Sequence, residues 1–453
     1  MTKFLDNKDR EGRYIFKKFK KEHSFLITRL FKSGLIRDLA KENLIPQTSL
    51  LPAKKTGLVV RQERIETLTY PHEWSFSMLK DAAVCTLQVN EIANKYGFQL
   101  QDAHPFNIVF DMTHPKFVDI GSFIFKKPGS RGWFGSEEFL RTFYYPIQLW
   151  ASGFNFTSYS TLLSTMQEFP HAEYLRLKYP IIRLVPSKLL SLFLFYFPYS
   201  RLSSVDITLL RERFSPKSFN IIKFLINHNL LLFQDFNAES YINKISNIQR
   251  SRKDYWSGYL PIGELKTNSI NRRFLEISRM AKKRRVKSIV DIAGNEGAFS
   301  LVAIRKARIQ KVSCVDYDEP SIDNLYRYVK KNKQPIFPVV QNVIFSVVEG
   351  NQIPLHKRFK GDAAVALALT HHLLLTQNYT IERVFDSIRK FTNKYVFIEF
   401  MPLGLWNGKE APPVPSWYTQ KWFEKNFRKY FYLEEITKLD VNRILFIGRL
   451  KKS

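Results

Sequence analysis

Short apolar segments alternate with longer amphipathic segments through the second half of the chain. Five apolar runs have the length of buried strands, at residues 286–292, 311–316, 336–340, 363–369 and 395–400. Between them, residues 322–331 and 381–391 place apolar side chains three or four positions apart, which predicts helices. This alternation predicts an α/β fold whose sheet is parallel and wound with right-handed crossovers.

The end of the chain departs from that alternation. Residues 431–437 and 443–450 are two apolar segments with a polar turn between them, near Asp440 and Asn442. Two extended segments joined by a short turn predict an antiparallel hairpin. We therefore expect a parallel sheet that ends in one antiparallel hairpin.

The first half of the chain has a different pattern. It predicts helices at residues 27–43 and 75–96, strands at 56–68, and a helical subdomain rich in Leu, Phe and Tyr at 139–232. The polar and basic segment 237–252 is the candidate boundary, and a length of 453 residues agrees with two domains. We expect an α+β N-terminal domain over residues 1–250 and an α/β C-terminal domain over residues 251–453.

Composition adds a strong positive charge to this picture. The chain is 45% hydrophobic, as packed domains require, and its formal net charge is +29. Such a charge would attract nucleic acid, anionic lipid or anionic glycan. Basic clusters such as residues 17–21 and 282–285 are scattered, however, so a solvated basic surface is a better explanation than a dedicated nucleic-acid interface.

Cysteine and membrane signals are weak. Cys85 and Cys314 lie far apart among apolar residues and are predicted to be small core residues, not a disulfide or a metal pair. Residues 1–16 contain no apolar stretch of the kind a secretory signal needs. The most apolar run, residues 189–197, has about half the length of a membrane span. We expect a cytoplasmic protein without a membrane span.

The segment 286–300, VKSIVDIAGNEGAFS, combines a buried strand, a glycine-containing turn and the start of a helix. Gly294 and Gly297 permit a tight turn and close approach of a ligand, and the first helical amides point into the same crevice. Ordinary βα connections can also carry such a turn. Asp316, however, ends the next strand about twenty residues beyond the first glycine, where a carboxylate can bind both ribose hydroxyls of a nucleoside.

The sequence of this turn, DIAGNEG, is not G-x-G-x-x-G. It resembles motif I of the class I S-adenosylmethionine-dependent methyltransferases, which is close to D-x-G-x-x-x-G. The resemblance implies a Rossmann-like sheet that ends in a hairpin, with S-adenosylmethionine as the cofactor. It also implies that Asp291, Gly294, Asn295 and Gly297 shape the cofactor loop and that Asp316 binds the ribose.

Further candidates follow the ends of other predicted strands. Asn342 lies after the third strand, where these enzymes often hold the adenine amino group with an acidic residue, and an amide can accept that hydrogen bond too. His371 and His372 follow the fourth strand at its carboxyl end, where open α/β sheets bind ligands. Either could take a proton from an attacking hydroxyl or amine, or could only pack. Glu399 and Trp406 are additional pocket candidates.

A second motif lies in the N-terminal half, LQDAHPFNIVFDMTHPKFVDIGSF at residues 100–123. Asp102, Asn107 and Asp119 resemble the catalytic loop and metal-binding turn of kinase-like aminoglycoside and choline phosphotransferases. The resemblance implies a base at Asp102 and magnesium ligands at Asn107 and Asp119. No G-x-G-x-x-G loop and no clear V-A-I-K strand precede them. We therefore expect a degenerate kinase-like core, or a loop held by its own hydrogen bonds.

Three more segments of the C-terminal half, VALALTHHLLL, VFIEFMPLG and PPVPSWYTQKWFEKNF, carry a closer resemblance. They are similar to a family of bacterial two-domain methyltransferases related to the nodulation protein NoeA. The resemblance implies a methyltransferase without fixing its substrate, and we expect the acceptor to be a hydroxyl or amine of a small molecule or glycan. An RNA methyltransferase, favoured by the net charge, and a non-catalytic nucleotide-binding scaffold are the alternatives.

Overall fold

The chain divides into two compact units in a computed structural model. Unit 1 comprises Met1–Glu66, Tyr70–His72 and Leu79–Arg252, and unit 2 comprises Thr67–Thr69, Glu73–Met78 and Lys253–Ser453. The structure describes residues 3–5, 12–54, 57–129, 132–164, 167–180, 236–250, 262, 269–346, 352–406 and 408–451. The apolar run 189–197 and much of the helical subdomain predicted at 139–232 lie outside these residues.

Unit 1 begins with an antiparallel sheet. Its four strands are β1 (Lys3–Leu5), β2 (Tyr14–Phe19), β3 (Thr48–Lys54) and β4 (Gly57–Glu63). They lie side by side in the order β1-β2-β4-β3. Helices α1 (Ser24–Lys32) and α2 (Leu35–Lys41) connect β2 to β3 and account for the helices predicted over 27–43. The strand prediction at 56–68 corresponds to β4.

A long helix and two small β pairs follow. They are α3 (Phe76–Lys95), β5 (Phe98–Leu100), β6 (Ile108–Asp111), β7 (His114–Phe117) and β8 (Phe123–Phe125). Gly97 ends α3 with φ at +78°, a conformation that glycine adopts without steric cost. Strand β5 pairs with β8, and β6 forms a hairpin with β7. The connections β5–β6 and β7–β8 therefore carry the motif at residues 100–123.

The other described elements of unit 1 are helical. They are α4 (Ser136–Phe139), a π-helical turn (Leu140–Tyr144), α5 (Tyr145–Ala151), α6 (Asn155–Ser160), α7 (His171–Lys178) and α8 (Ala238–Asn247). Aromatic rings hold several of them together. Phe139 packs edge to face against Tyr241, and Tyr145 stacks on Tyr174 with ring centroids 4.0 Å apart.

Unit 2 is built around a sheet of seven strands. These are β9 (Ser288–Ile292), β10 (Lys311–Asp316), β11 (Ile336–Val340), β12 (Gly361–Ala366), β13 (Thr392–Phe400), β14 (Phe431–Asp440) and β15 (Arg443–Leu450). Their order is β11-β10-β9-β12-β13-β15-β14. The first five are parallel, and β15 runs antiparallel to both β13 and β14. This confirms the predicted parallel sheet with a terminal hairpin.

Helices connect these strands. They are α9 (Ser269–Lys283), α10 (Ala298–Val302), α11 (Glu319–Asn332), α12 (Leu355–Arg358), α13 (Ile381–Arg389) and α14 (Gln420–Tyr430), with π-helical turns at Ala303–Ala307 and His372–Thr376. The two helices predicted at 322–331 and 381–391 are α11 and α13. Within the described ranges, no helix has both the length and the apolar character to cross a bilayer.

One predicted strand is shorter than expected, and the two cysteines are buried as predicted. The strand predicted at 363–369 ends at Ala366, because Ala368 turns into the left-handed region with φ at +52°. Its amide donates to Oε2 of Glu399 at 2.9 Å instead of continuing the ladder. Cys85 and Cys314 are both buried and form no disulfide, as expected for core residues.

A buried ion pair in unit 2 offers a test of stability. Arg358 donates to Oε2 of Glu73 at 2.8 Å and to the carbonyl of Leu68 at 2.6 Å, and both charged side chains are almost fully buried. We expect Arg358→Met to lower the free energy of unfolding by about 3–5 kcal/mol, because Glu73 would stay buried without its cation. Urea unfolding measures this change. The control Arg389→Met removes an exposed pair and should cost less than about 1 kcal/mol.

Candidate cofactor and active site

The site of unit 2 forms at the carboxyl ends of the parallel strands. Strand β9 is central and pairs in parallel with β10 on one side and β12 on the other. The chain therefore leaves β9, β10, β12 and β13 at the same edge of the sheet. All the predicted cofactor and catalytic residues of the C-terminal half follow or end one of these strands or β11.

The glycine turn after β9 is tightly fixed. Ala293, Asn295 and Gly297 all have positive φ angles, of +55°, +50° and +75°. A Cβ atom on Gly294 would lie 2.5 Å from Sγ of Cys314 and 2.8 Å from Cγ of Asp291, so any side chain there would collide with buried neighbours. Only glycine at position 294 therefore permits the turn to pack this closely against the ends of β9 and β10.

Asp316 faces this turn from the end of β10. Its Oδ2 accepts the amide of Asn295 at 2.8 Å, and its Oδ1 accepts the amide of Asp318 at 2.9 Å. A backbone hydrogen bond from Tyr317 adds a third donor, and an ionised carboxylate has about four acceptor positions, so about one is left for a further donor. A ribose hydroxyl could use that position, and the hydrogen bond from Asn295 places Asp316 beside the glycine turn.

Burial raises the pKa of both carboxyls beside this turn. The pKa of Asp291 rises to about 7, with a hydrogen bond from Ser300 acting against burial and the charge of Asp316 adding to it. The pKa of Asp316 rises to about 6, mainly through burial, although the amides of Asp318 and Asn295 oppose the shift. Both values exceed the ordinary value near 4. A proton or a hydrogen-bonding ligand therefore stabilises the site at neutral pH.

This electrostatic arrangement predicts a pH dependence for nucleoside binding. Protonation of Asp316 below its pKa of about 6 removes acceptor capacity, so affinity should fall as the pH falls through 6 and stay level above it. The expected slope is about tenfold per pH unit well below 6. Calorimetric titration with S-adenosylhomocysteine from pH 5 to 8 measures it. A flat profile would contradict the role of Asp316, and Asp316→Asn should flatten the profile of an otherwise folded protein.

Other predicted cofactor residues are engaged differently. Nδ2 of Asn295 donates to Oγ of Ser321 at 2.9 Å, which ties the turn to helix α11. Oδ1 of Asn342 already accepts the amides of Ile344 and Phe345 at 2.9 and 3.1 Å. Both lone pairs of that oxygen are thereby used, which leaves no acceptor for an adenine amino group. The neighbouring Gln341 was not predicted, although it lies at the same strand end and its buried Nε2 has no partner among the described atoms.

Glu399 supports the turn that carries the histidine pair. It is fully buried at the end of β13, and its Oε2 accepts both the amide of Ala368 and Nη1 of Arg443, at 2.9 and 3.0 Å. The hydroxyl of Thr370 donates to its backbone carbonyl at 2.8 Å. These bonds fix the backbone directly before His371. Glu399 is therefore a positioning residue, which refines its selection as a pocket candidate.

The two histidines differ in environment. His371 is 5% exposed, and its buried Nδ1 has no partner among the described atoms. Burial, followed by the proximity of His372 and Arg443, lowers the pKa of His371 to about 3. The pKa of His372 is also lowered by burial. His371 is thus neutral at every physiological pH, and the expectation that its imidazole titrates near neutrality does not hold for it.

The motif at residues 100–123 also comes together in unit 1. Oγ of Ser122 lies 3.2 Å from Oδ2 of Asp102, 3.2 Å from Oδ2 of Asp119 and 3.2 Å from Nδ2 of Asn107. Sequence reasoning missed Lys17, whose Nζ donates to the carbonyl of Val118 next to Asp119. The missed signal is in YIFKKF, where Lys17 shares the buried face of β2 with Phe19.

Three features of unit 2 indicate its structural class: the order of its strands, the glycine turn after β9, and the acidic residue Asp316 at the end of β10. Its architecture is that of the class I S-adenosylmethionine-dependent methyltransferase domains, and S-adenosylmethionine is the cofactor expected for such a domain. The residues fit this group, because Gly294 permits the tight turn and Asp316 keeps an acceptor position beside it.

The chain is similar to the nodulation protein NoeA of Rhizobium meliloti (strain 1021). The two are 28% identical over 362 residues, which are 76% of this chain and 71% of that protein. None of the protein-family models matches the chain.

Similar solved structures cover less than half of the chain. They include PH0226 from Pyrococcus horikoshii OT3, with a TM-score of 0.35 and 15% identity over 44% of this chain and 100% of that one. The N-methyltransferase NodS from Bradyrhizobium japonicum WM9 has a TM-score of 0.31 and 12% identity, over 42% and 100%.

Proposed function

We propose that unit 2 transfers the methyl group of S-adenosylmethionine to a hydroxyl or amine of a small molecule or glycan. The observation that carries this proposal is the Asp316 carboxylate, held by the glycine turn with acceptor capacity left over. The predicted cofactor loop, formed by Asp291, Gly294, Asn295 and Gly297, belongs to the proposal. Asn342 is proposed to shape the turn beside the adenine without binding it, because its Oδ1 already accepts the amides of Ile344 and Phe345.

We assign substrate alignment and proton transfer to different residues at the carboxyl ends of the strands. When bound, the sulfonium cofactor supplies an activated methyl group. The protein's part is to align an acceptor with that group and to exclude water. His371, neutral and buried with an unpartnered Nδ1, would accept a hydrogen bond from the acceptor and orient it. His372 is the better candidate for receiving its proton.

The histidine roles lead to a prediction with matched variants. We expect His372→Gln to lower kcat about a hundredfold at pH 7.5, with the KM for S-adenosylmethionine unchanged, because proton acceptance is lost but alignment persists. His371→Gln keeps a hydrogen-bonding side chain and should lower kcat less, mainly through the KM for the acceptor. Steady-state kinetics across pH separate these cases. Equal kcat values for His372→Gln and the unsubstituted protein would exclude a base at His372.

A radiolabel experiment tests the proposed reaction. The full chain is incubated with methyl-labelled S-adenosylmethionine and panels of amino sugars, oligosaccharides, phenols, amines and tRNA. We expect label in a hydroxyl- or amine-bearing small molecule or glycan, and none with Asp316→Ala. Label in tRNA would favour the RNA methyltransferase, which the charge of +29 supports. Tight cofactor binding without transfer to any panel would favour a non-catalytic scaffold.

We propose also that unit 1 is a kinase-like domain with its boundary near residue 250. The order of its elements supports this: an antiparallel sheet, a long helix, then a polar loop and a β hairpin that ends at an acidic turn. Asp102, Asn107 and Asp119 fall on that loop and turn and meet at one hydroxyl. Limited proteolysis should cut near residue 250, and a stable fragment spanning that position would oppose the boundary.

A further inference from the structure

Basic residues that are scattered along the sequence of unit 2 lie together at one edge of its sheet. The five parallel strands all begin at the same edge, which is opposite the candidate cofactor site. The segments at the starts of these strands are residues 282–287, 305–310, 330–335, 357–360 and 389–394. Each segment carries at least three Lys or Arg residues, and none carries an Asp or Glu. Together they form a basic edge of unit 2.

Hydrogen bonds hold these segments side by side. The amide of Gln310 donates to the carbonyl of Lys287 at 2.8 Å, and the amide of Gly361 donates to the carbonyl of Phe391 at 3.1 Å. Oδ2 of Asp362 accepts the amide of Lys287 at 2.8 Å. Neighbouring strands are about 4.8 Å apart, so the starts of five strands extend over about 20 Å. The basic segments therefore form one row.

The cations of this row are exposed to solvent. Every segment contributes at least two exposed Lys or Arg side chains, among them Lys287, Arg308, Lys333, Lys360 and Lys390. Strands about 4.8 Å apart place such charges within one Debye length of each other, which is about 8 Å at physiological ionic strength. The five segments contain no carboxylate to compensate them. An anionic partner would therefore relieve the repulsion along the row.

The opposite edge of the sheet lacks this charge. The segments that follow the same five strands are residues 293–297, 317–319, 341–346, 367–372 and 401–406. They contain Glu296, Asp318 and Glu319 but no Lys or Arg. Strands of five and six residues, such as β9 and β10, separate the two edges by about 17–20 Å. The positive charge is therefore not arranged to hold a nucleic acid at the cofactor site.

The C-terminal hairpin extends the basic edge with an amphipathic ring. Strand β14 starts and β15 ends at this edge, because β15 is antiparallel to both β13 and β14. Tyr432 is 55% exposed, and the cations of Lys451 and Arg449 lie 5.3 and 5.9 Å from the centroid of its ring. A tyrosine ring with cations beside it suits the headgroup region of a bilayer. Single-stranded nucleic acid instead stacks successive bases on several rings.

We propose that the basic edge of unit 2 is a docking surface for a membrane that contains anionic lipids. A bilayer presents a continuous layer of negative charge, so it can meet all five segments at once. Contact there leaves the cofactor site on the side away from the membrane. Lysine outnumbers arginine in the five segments, and lysine acts as a point charge, whereas arginine is favoured where single phosphates are recognised. The proposal does not depend on methyl transfer.

Sedimentation of the full chain with lipid vesicles tests this surface. Vesicles of phosphatidylcholine with about 30% phosphatidylserine are compared with vesicles of phosphatidylcholine alone, at about 0.1 M salt. We expect binding to the anionic vesicles only. This binding should be lost at about 1 M salt, where the Debye length is about 3 Å. Equal binding to both kinds of vesicle, or binding to neither, overturns the proposal.

A triple variant tests the position of the surface. Lys287→Gln, Lys360→Gln and Lys390→Gln together remove three exposed cations at the starts of β9, β12 and β13, which are adjacent in the sheet. Each cation near an anionic membrane contributes a factor of about five to the affinity, so vesicle binding should weaken about a hundredfold. Thermal unfolding should not change, because these side chains are exposed. Unchanged vesicle binding by this variant would contradict the proposed surface.

A matched triple variant controls for net charge. Lys421→Gln, Lys425→Gln and Lys438→Gln remove three exposed cations from α14 and from the far end of β14, away from the basic edge. Because salt screens charges that lie more than a Debye length from the membrane, vesicle affinity should stay within about threefold. An equal loss in the two triple variants would show that only net charge matters and would overturn a defined docking surface.

Binding of tRNA distinguishes a membrane surface from a nucleic-acid surface. We expect tRNA affinity to fall equally in the two triple variants, because RNA would respond to the general positive charge of the chain. A selective loss of tRNA affinity in the basic-edge variant, with unchanged vesicle binding, would assign the basic edge to nucleic acid and overturn the proposal. Titration with S-adenosylhomocysteine should give the same affinity for both variants and the unsubstituted protein, so failure of the cofactor site remains a separate result.

Discussion

The Asp316→Ala variant should lose at least a hundredfold in affinity for S-adenosylhomocysteine. Asp316 accepts the amides of Asn295 and Asp318 and a further backbone hydrogen bond from Tyr317, which leaves about one of its four acceptor positions for a ligand. Each hydrogen bond from a ribose hydroxyl to this carboxylate is worth about 1.5–3 kcal/mol, and about 1.4 kcal/mol corresponds to a tenfold change in affinity. Truncation also releases the amide of Asn295 and loosens the turn. Calorimetric titration of both proteins measures the difference.

Asp362→Ala is the matched control for this prediction. Its Oδ2 also accepts two backbone amides, of Lys287 and Ser288, at 2.8 and 3.1 Å. Those amides lie at the start of β9, at the opposite edge of the sheet from Asp316. We expect Asp362→Ala to lower stability but to leave the affinity within about twofold. An equal loss in the two variants would mean that Asp316 acts only through the fold.

The Gly294→Ala variant should lose measurable cofactor binding as well. The added Cβ would lie 2.5 Å from Sγ of Cys314 and 2.8 Å from Cγ of Asp291, and both neighbours are buried. Overpacking of this kind costs about 1–3 kcal/mol of stability, since the turn must move to relieve it. Moving the turn displaces the amide of Asn295 from Asp316. We expect a folded protein with at least a hundredfold weaker binding.

Two variants check the steric explanation. Gly132→Ala places a methyl group where no heavy atom lies within 4 Å, so stability and affinity should not change. Cys314→Ala in the Gly294→Ala background removes the nearest colliding atom and should recover part of the affinity. Unchanged binding by Gly294→Ala would show that the turn adapts without loss, which contradicts a rigid turn.

Sequence periodicity was sufficient for the sheet of unit 2. Fully apolar runs such as Ile336–Val340 coincide with strands that are buried on both faces, and the hairpin at the end of the chain has the predicted direction. The position of Asp316 at the end of β10 was also predictable from the sequence, because its distance from Gly294 depends on one strand–helix–strand unit. Sequence patterns therefore predict the structure correctly where the distance between two residues is set by a single strand–helix–strand unit.

Other features depend on contacts between distant segments. The side-chain oxygen of Asn342 accepts the backbone amides of Ile344 and Phe345. The types of the residues in this segment do not indicate that these hydrogen bonds form. The low pKa of His371 follows from burial and from Arg443, which lies 72 positions further along the chain. Lys17 was taken as one of several scattered basic residues, although it shares the buried face of β2 with Phe19. Such features become visible only when the fold joins the segments.

The most direct test is calorimetric titration of the full chain with S-adenosylhomocysteine at pH 7.5. The account predicts one site per chain, affinity in the micromolar range, and loss of that signal in Asp316→Ala. A cooperatively folded protein that gives no heat and no thermal shift with millimolar S-adenosylhomocysteine would contradict the assignment of unit 2 as a methyltransferase domain.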